Sequence, residues 1–62
     1  MLIIINGEKK EIEFKGTITN LLKKLGIRRE EAIVKVNGEL VADQTELKGD
    51  EKVEVIQVVF GG

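Results

Sequence analysis

The sequence contains no histidine, cysteine, serine, proline, tryptophan or tyrosine. Without His, Cys or Ser there is no Ser-His-Asp or Cys-His nucleophilic centre, no thiol redox chemistry and no Cys/His zinc site. Disulfide staples are excluded by the same inventory. A chain of 62 residues must then be held by one well-formed apolar core. Long hydrophobic runs are missing too. Met1 to Ile5 is shorter than the roughly 7 to 15 residue core of a signal peptide, and nothing approaches the roughly 20 residues of a membrane span. The expected location is cytoplasmic, with no membrane partner. Neither sign of charge dominates, with 10 basic and 11 acidic residues giving a net charge of −1. Neutralising nucleic-acid phosphates needs a basic excess on one face, but Arg28 and Arg29 are followed directly by Glu30 and Glu31. No nucleic-acid partner is expected.

What is present is 42% apolar and 34% charged, the composition of one small folded domain. Met1 to Asn6 is an aliphatic run closed by Asn6-Gly7, and Lys10 to Phe14 then alternates polar and apolar, which predicts a β-hairpin. Gly16 ends the second strand. Thr17 or Thr19 can cap a helix whose apolar residues Ile18, Leu21, Leu22 and Leu25 recur at i, i+3, i+4 and i+7. Gly26 is the expected left-handed residue after that helix, and Lys23 and Lys24 suit its last turn, where the helix dipole favours cations.

Ala32 to Val36 predicts a third strand, turned by Asn37-Gly38 into a brief fourth at Glu39 to Val41. Ala42 to Leu47 is polar and irregular, with room for a single helical turn. Gly49-Asp50 precedes a last strand from Lys52 to Val59. One helix stripe and one sheet face must cover each other. The expected architecture is α+β: a mixed sheet curling around one short helix, with the last strand parallel to the first, the β-grasp (ubiquitin-like) arrangement. Residues 1–60 form the expected domain and 61–62 a flexible tail.

Parity along the strands adds a surface. With Val53 and Val55, Val34 and Val36, and Ile3 and Ile5 facing the helix, residues Ile56, Ile33 and Ile4 face away. The first, last and third strands should be neighbours, which places Ile4, Ile56 and Ile33 side by side and leads on to Val58, Val59 and Phe60. An exposed apolar patch of this kind ordinarily marks a contact surface, and an aromatic such as Phe60 makes a good anchor in it. Phe14, on an alternating strand beside the helix start, is assigned to the core.

The segments Asn-Gly-Glu-Leu-Val at 37–41, Gly-Asp at 49–50, Val-Glu-Val-Ile at 53–56 and the terminal Gly61-Gly62 resemble the ubiquitin-like sulfur carriers. That group includes ThiS, MoaD and the small archaeal modifier proteins, and the resemblance spans essentially the whole chain. With Gly usage near about 7%, a chain ends in Gly-Gly by chance roughly 0.5% of the time, so the terminus carries most of the specificity.

The resemblance implies that a partner adenylating enzyme uses ATP to activate the Gly62 carboxylate, after which sulfide or a persulfide displaces AMP to leave a thiocarboxylate. Gly61 and Gly62 would let the tail enter a narrow channel, since glycine permits close approach and any φ. The resemblance also implies that the chain binds no cofactor, that partner enzymes do the chemistry, and that the sulfur passes to a synthase or a tRNA thiolase. Ala42 and Asp43 stand where ThiS sequences commonly carry proline, and the receiving pathway stays open among thiamine, molybdopterin and tRNA thiolation. Two other readings stay open: a modifier joined to protein lysines through the same terminus, and a β-grasp interaction module with an incidental tail. An enzyme would have to work through carboxylates such as Asp43, Glu46 or Asp50. Acidic residues in turns are ordinarily solvated surface, and their spacing is not that of a calcium loop.

Overall fold

The computed structural model describes residues 1–58. Its strands are β1 (Leu2–Ile5), β2 (Glu8–Glu11), β3 (Gly16–Thr17), β4 (Ala32–Val36), β5 (Glu39–Leu40), β6 (Glu46–Leu47) and β7 (Lys52–Gln57). Helix α1 (Ile18–Leu25) lies between β3 and β4, and a short 3-10 turn at Arg29–Glu31 leads into β4. Five strands form a mixed sheet in the order β2-β1-β7-β4-β5, while β3 and β6 make a separate two-stranded pair. β7 runs parallel to β1 and antiparallel to β4, the expected β-grasp arrangement.

Helix α1 is delimited as its sequence dictates. The Thr17 side chain accepts the Asn20 N–H at 3.3 Å, satisfying one of the donors that a helix start leaves unpaired. At the other end Gly26 takes φ +73°. Gly26 N–H donates to the Lys23 carbonyl at 3.2 Å and Ile27 N–H to the Leu22 carbonyl at 3.0 Å, a Schellman motif that consumes two orphan carbonyls. The stripe so formed buries Ile18, Leu21 and Leu22 against Ile3, Val34, Val53 and Val55, with Leu47 closing one side. Val53, Val55 and Ile3 have no exposed surface at all. Phe14 is half-buried and packs at the edge of this core.

Four local expectations are corrected. The second strand is Glu8–Glu11 rather than Lys10 to Phe14, because a two-residue Asn-Gly turn starts the return strand immediately after Gly7. Gly16 joins a strand instead of only ending one, pairing with Leu47 while Thr17 pairs with Glu46. The Ala42 to Leu47 segment therefore ends in a strand after one hydrogen-bonded turn, Thr45 N–H to the Ala42 carbonyl at 3.0 Å, and a 3-10 turn not expected from the sequence forms at Arg29–Glu31. β5 stops at Leu40 and β7 at Gln57.

Candidate functional site

Strand β7 is the spine of the molecule, flanked by β1 and β4, and it ends where the C-terminal segment begins. Its alternation sends Val53 and Val55 into the core and Glu54 and Ile56 to the other face. On that outer face Ile33 of β4 lies directly opposite Ile56, and Ile33 is 43% exposed. Ile4 lies one row away. Its partner on β7 is Glu54, and Glu54 in turn is opposite Lys35. The expectation that Ile4, Ile56 and Ile33 lie side by side is thus corrected: the register, which strand parity does not contain, places Ile4 two residues back along β7.

The outer face consequently has two bands. Toward the end of β7 it is apolar, made by Ile33 and Ile56, with the half-buried Val58 next in sequence beyond Gln57. The other row reads Lys9, Ile4, Glu54, Lys35, Leu40 across the five strands. Glu54 and Lys35, of opposite charge, face each other across β7 and β4 in that row. Leu40, at the sheet edge, is 70% exposed and was not singled out from sequence. Its only signal there was its position two residues after Gly38, where the short strand exposes one face. Val59, Phe60, Gly61 and Gly62 lie outside the described residues.

The exit of β7 is held from both sides. Gln57 N–H donates to Asn6 Oδ1 at 2.8 Å, and Asn6 Nδ2 donates back to Gln57 Oε1 at 3.3 Å. One residue later Val58 N–H donates to the Glu31 carbonyl at 2.7 Å. Successive N–H groups of a strand point to opposite sides, so the first of these contacts ties β7 to the β1 side and the second to the β4 side. Sequence reasoning missed Asn6 and Glu31 here. Asn6 was visible as a turn residue, and Glu31 acts through its backbone, which leaves no mark in the sequence.

The carboxylates weighed for an enzyme occupy other positions. Asp43 accepts from Arg29 Nε at 2.7 Å, and its carbonyl takes Thr19 N–H at 3.1 Å, so Asp43 fastens the loop before β6 to both the Arg29–Glu31 turn and the start of α1. Among the described residues no cluster of acidic side chains is arranged to hold a metal ion. At the opposite end of β7, Glu51 accepts Lys48 N–H at 2.8 Å and Gly49 N–H at 2.9 Å. The Lys48 amide first, then that of Gly49, lowers the carboxyl of Glu51 below its ordinary value, because donors stabilise the charged form. An open hollow of about 440 Å³ lined by Phe14, Lys15, Lys48 and Gly49, among others, lies at this same end. No helix among the described residues is long and apolar enough to cross a membrane.

The model of the ThiS family matches residues 3–62. The chain belongs to the ThiS family. A solved structure agrees: the crystal structure of the thiamine biosynthesis protein ThiS from Geobacter metallireducens matches with a TM-score of 0.66 and 28% identity, over 100% of this chain and 99% of that one. ThiS proteins fall within the ubiquitin-like sulfur carriers, which are small carriers rather than enzymes. The resemblance drawn from the Asn-Gly, Gly-Asp and Gly-Gly segments is therefore correct at the level of family and fold.

Proposed function

We propose that this ThiS-family chain carries sulfur as a thiocarboxylate on Gly62 and delivers it in thiamine biosynthesis. The observation that carries this reading is the family match, which runs through the diglycine to residue 62. A free carboxylate is a poor acyl donor. In the proposed first step a partner adenylating enzyme lets the Gly62 carboxylate attack the α-phosphate of ATP, forming an acyl-adenylate and releasing pyrophosphate. In the second, sulfide or a persulfide sulfur attacks the acyl carbon and AMP leaves. With sulfide the thiocarboxylate forms directly; a persulfide adduct is first cleaved by a thiol. The chain's part is to be recognised and to present its terminus, and glycine at 61 and 62 offers no Cβ to hinder approach to ATP.

The apolar band of Ile33 and Ile56 at the end of β7 supports a docking role for this face, with Val58, Val59 and Phe60 continuing it in sequence and Ile4 at its margin. Contact surfaces draw most of their affinity from a few apolar or aromatic anchors. ThiS from Geobacter is described as a thiamine biosynthesis protein, which favours a thiazole-forming synthase as the sulfur acceptor over the molybdopterin and tRNA routes.

Incubation with a ThiS-activating enzyme, ATP and a sulfur source is expected to raise the intact mass by about 16 Da, as one oxygen is replaced by sulfur. Deletion of Gly61 and Gly62 should abolish the product. An unchanged mass with active partner enzyme would overturn the assignment, and Gly-Gly remnants on cellular lysines without any thiocarboxylate would replace it with a modifier function.

A further inference from the structure

The two Asn-Gly turns make the same unusual use of their asparagine. Asn6 and Asn37 both sit at left-handed φ, +50° and +51°, each preceding a glycine at positive φ. Each keeps its backbone N–H in the sheet: Asn6 N–H donates to the Val55 carbonyl at 3.0 Å and Asn37 N–H to the Lys52 carbonyl at 2.8 Å. In a continued ladder each residue would also offer its backbone carbonyl to β7. Here the side chain supplies that acceptor. Gln57 N–H goes to Asn6 Oδ1 at 2.8 Å, and Lys52 N–H goes to Asn37 Oδ1 at 3.0 Å. The turn can depart while the ladder gains one more bond at each end of β7.

The two asparagines act at opposite poles of that strand. Lys52 opens β7, whereas Gln57 closes it and is four residues before Gly61. Beyond Ile5 strand β1 ends, and among the described residues Asn6 is the last group on that side to hold β7, adding a second bond to Gln57 Oε1 at 3.3 Å. The Glu31 carbonyl holds Val58 N–H from the other side at 2.7 Å.

We propose that Asn6 is a positioning residue for the activation of Gly62: by gripping Gln57 opposite the Glu31 carbonyl, it fixes the end of β7, four residues before Gly61, relative to the Ile33/Ile56 face. The proposal rests on the sulfur-carrier reading for its enzymatic consequence, but the grip on Gln57 is a property of the fold. A partner that docks on the face and must also receive the terminus loses less ordering entropy when Gln57 and Val58, between the two, are already held. Asn37 makes the same class of bond about 16 Å away along β7, so it serves as an internal control.

The test uses three full-length variants and the activating enzyme. Asn6→Gly keeps the left-handed turn and deletes the acceptor. Asn37→Gly does the same at the far end, and Asn6→Asp restores an acceptor for Gln57 N–H. In ATP-pyrophosphate exchange, Asn6→Gly is expected to raise KM for the carrier about fivefold with kcat changed less than twofold. Asn37→Gly should shift KM less than twofold, and Asn6→Asp should recover most of the loss. Amide hydrogen exchange should quicken at Gln57 in Asn6→Gly and at Lys52 in Asn37→Gly. Equal KM values for the two glycine variants would overturn the positioning role. Unchanged exchange at Gln57 in Asn6→Gly would overturn the grip itself, whatever the enzyme does. If the wild-type chain supports no exchange of pyrophosphate, the carrier reading and the positioning role fall together, while the amide measurement still decides whether Asn6 holds Gln57.

Discussion

The two ends of β7 are built from the same parts and have different neighbours. At its start, Asn37 caps Lys52 and the Glu51 carboxylate gathers the amides of Lys48 and Gly49. At its finish, Asn6 and the Glu31 carbonyl hold Gln57 and Val58 beside Ile33 and Ile56. Both ends close backbone bonds that the sheet would otherwise leave to water. Only the finish combines that closure with an apolar outer face and leads into the tail. A hydrogen bond that merely ends a strand at one pole thus becomes, at the other, a candidate determinant of presentation.

The shared middle of the strand should be the most sensitive place of all. Ile3, fully buried beside Val53, supports both ends, and Ile3→Ala should destabilise the fold by about 2–5 kcal/mol. For a domain of this size that is a large share of a total on the order of 3–9 kcal/mol, and urea denaturation measures it. A difference between the ends should appear next. Ile56→Lys, on the apolar band, is expected to raise the activating enzyme's KM for the carrier about tenfold, while Lys52→Glu at the start of the same strand leaves it within about twofold. Tenfold corresponds to about 1.4 kcal/mol of docking free energy. Equal effects at the two positions would show that the partner does not distinguish the ends.

Stability should be nearly symmetrical where function is not. Asn6→Gly and Asn37→Gly each remove a side-chain acceptor for a β7 amide, Asn6→Gly also losing the longer Nδ2 bond to Gln57 Oε1, and each should cost about 0.5–1.5 kcal/mol by thermal unfolding. A markedly larger loss at Asn37 would mean that the start of β7 is the mechanical anchor. The smallest effect concerns acid. Because the folded-state pKa of Glu51 is lowered, its contribution is fully present above the ordinary carboxylate range and is lost as pH falls through the lowered value. The difference in unfolding temperature between the wild type and Glu51→Gln should therefore be largest near about pH 7 and shrink toward about pH 3. A gap that stayed constant with pH would assign the Glu51 contribution to shape rather than charge.

Much of the fold was legible because its signals are local. The spacing of Ile18, Leu21, Leu22 and Leu25 with Thr17 and Gly26 at the ends delimits α1, and each Asn-Gly pair locates a hairpin. Alternation in Val53-Glu54-Val55-Ile56 separates core from outer face. The β3 and β6 strands were not legible, since two-residue elements have no period to detect and exist only because Gly16 and Leu47 meet. For the candidate site, the family resemblance rested on the terminal glycines together with the hairpin, turn and last-strand segments, but the placement of Ile4 beside Ile56 did not survive. A one-face alternation says which side a residue is on and nothing about its row.

The sequence by itself determined the two Asn-Gly turns, the helix, the inward faces of β1, β4 and β7 and the absence of histidine, cysteine and serine chemistry. Each of these comes from residue type and near-neighbour spacing. The tertiary structure alone decided that Ile33 meets Ile56 while Ile4 meets Glu54, that Arg29 holds Asp43, and that Asn6 reaches Gln57, 51 residues along the chain. The physical reason is that register between strands distant in sequence is fixed by packing the whole core at once. No local pattern carries the information about which amide an asparagine will find on the strand beside it.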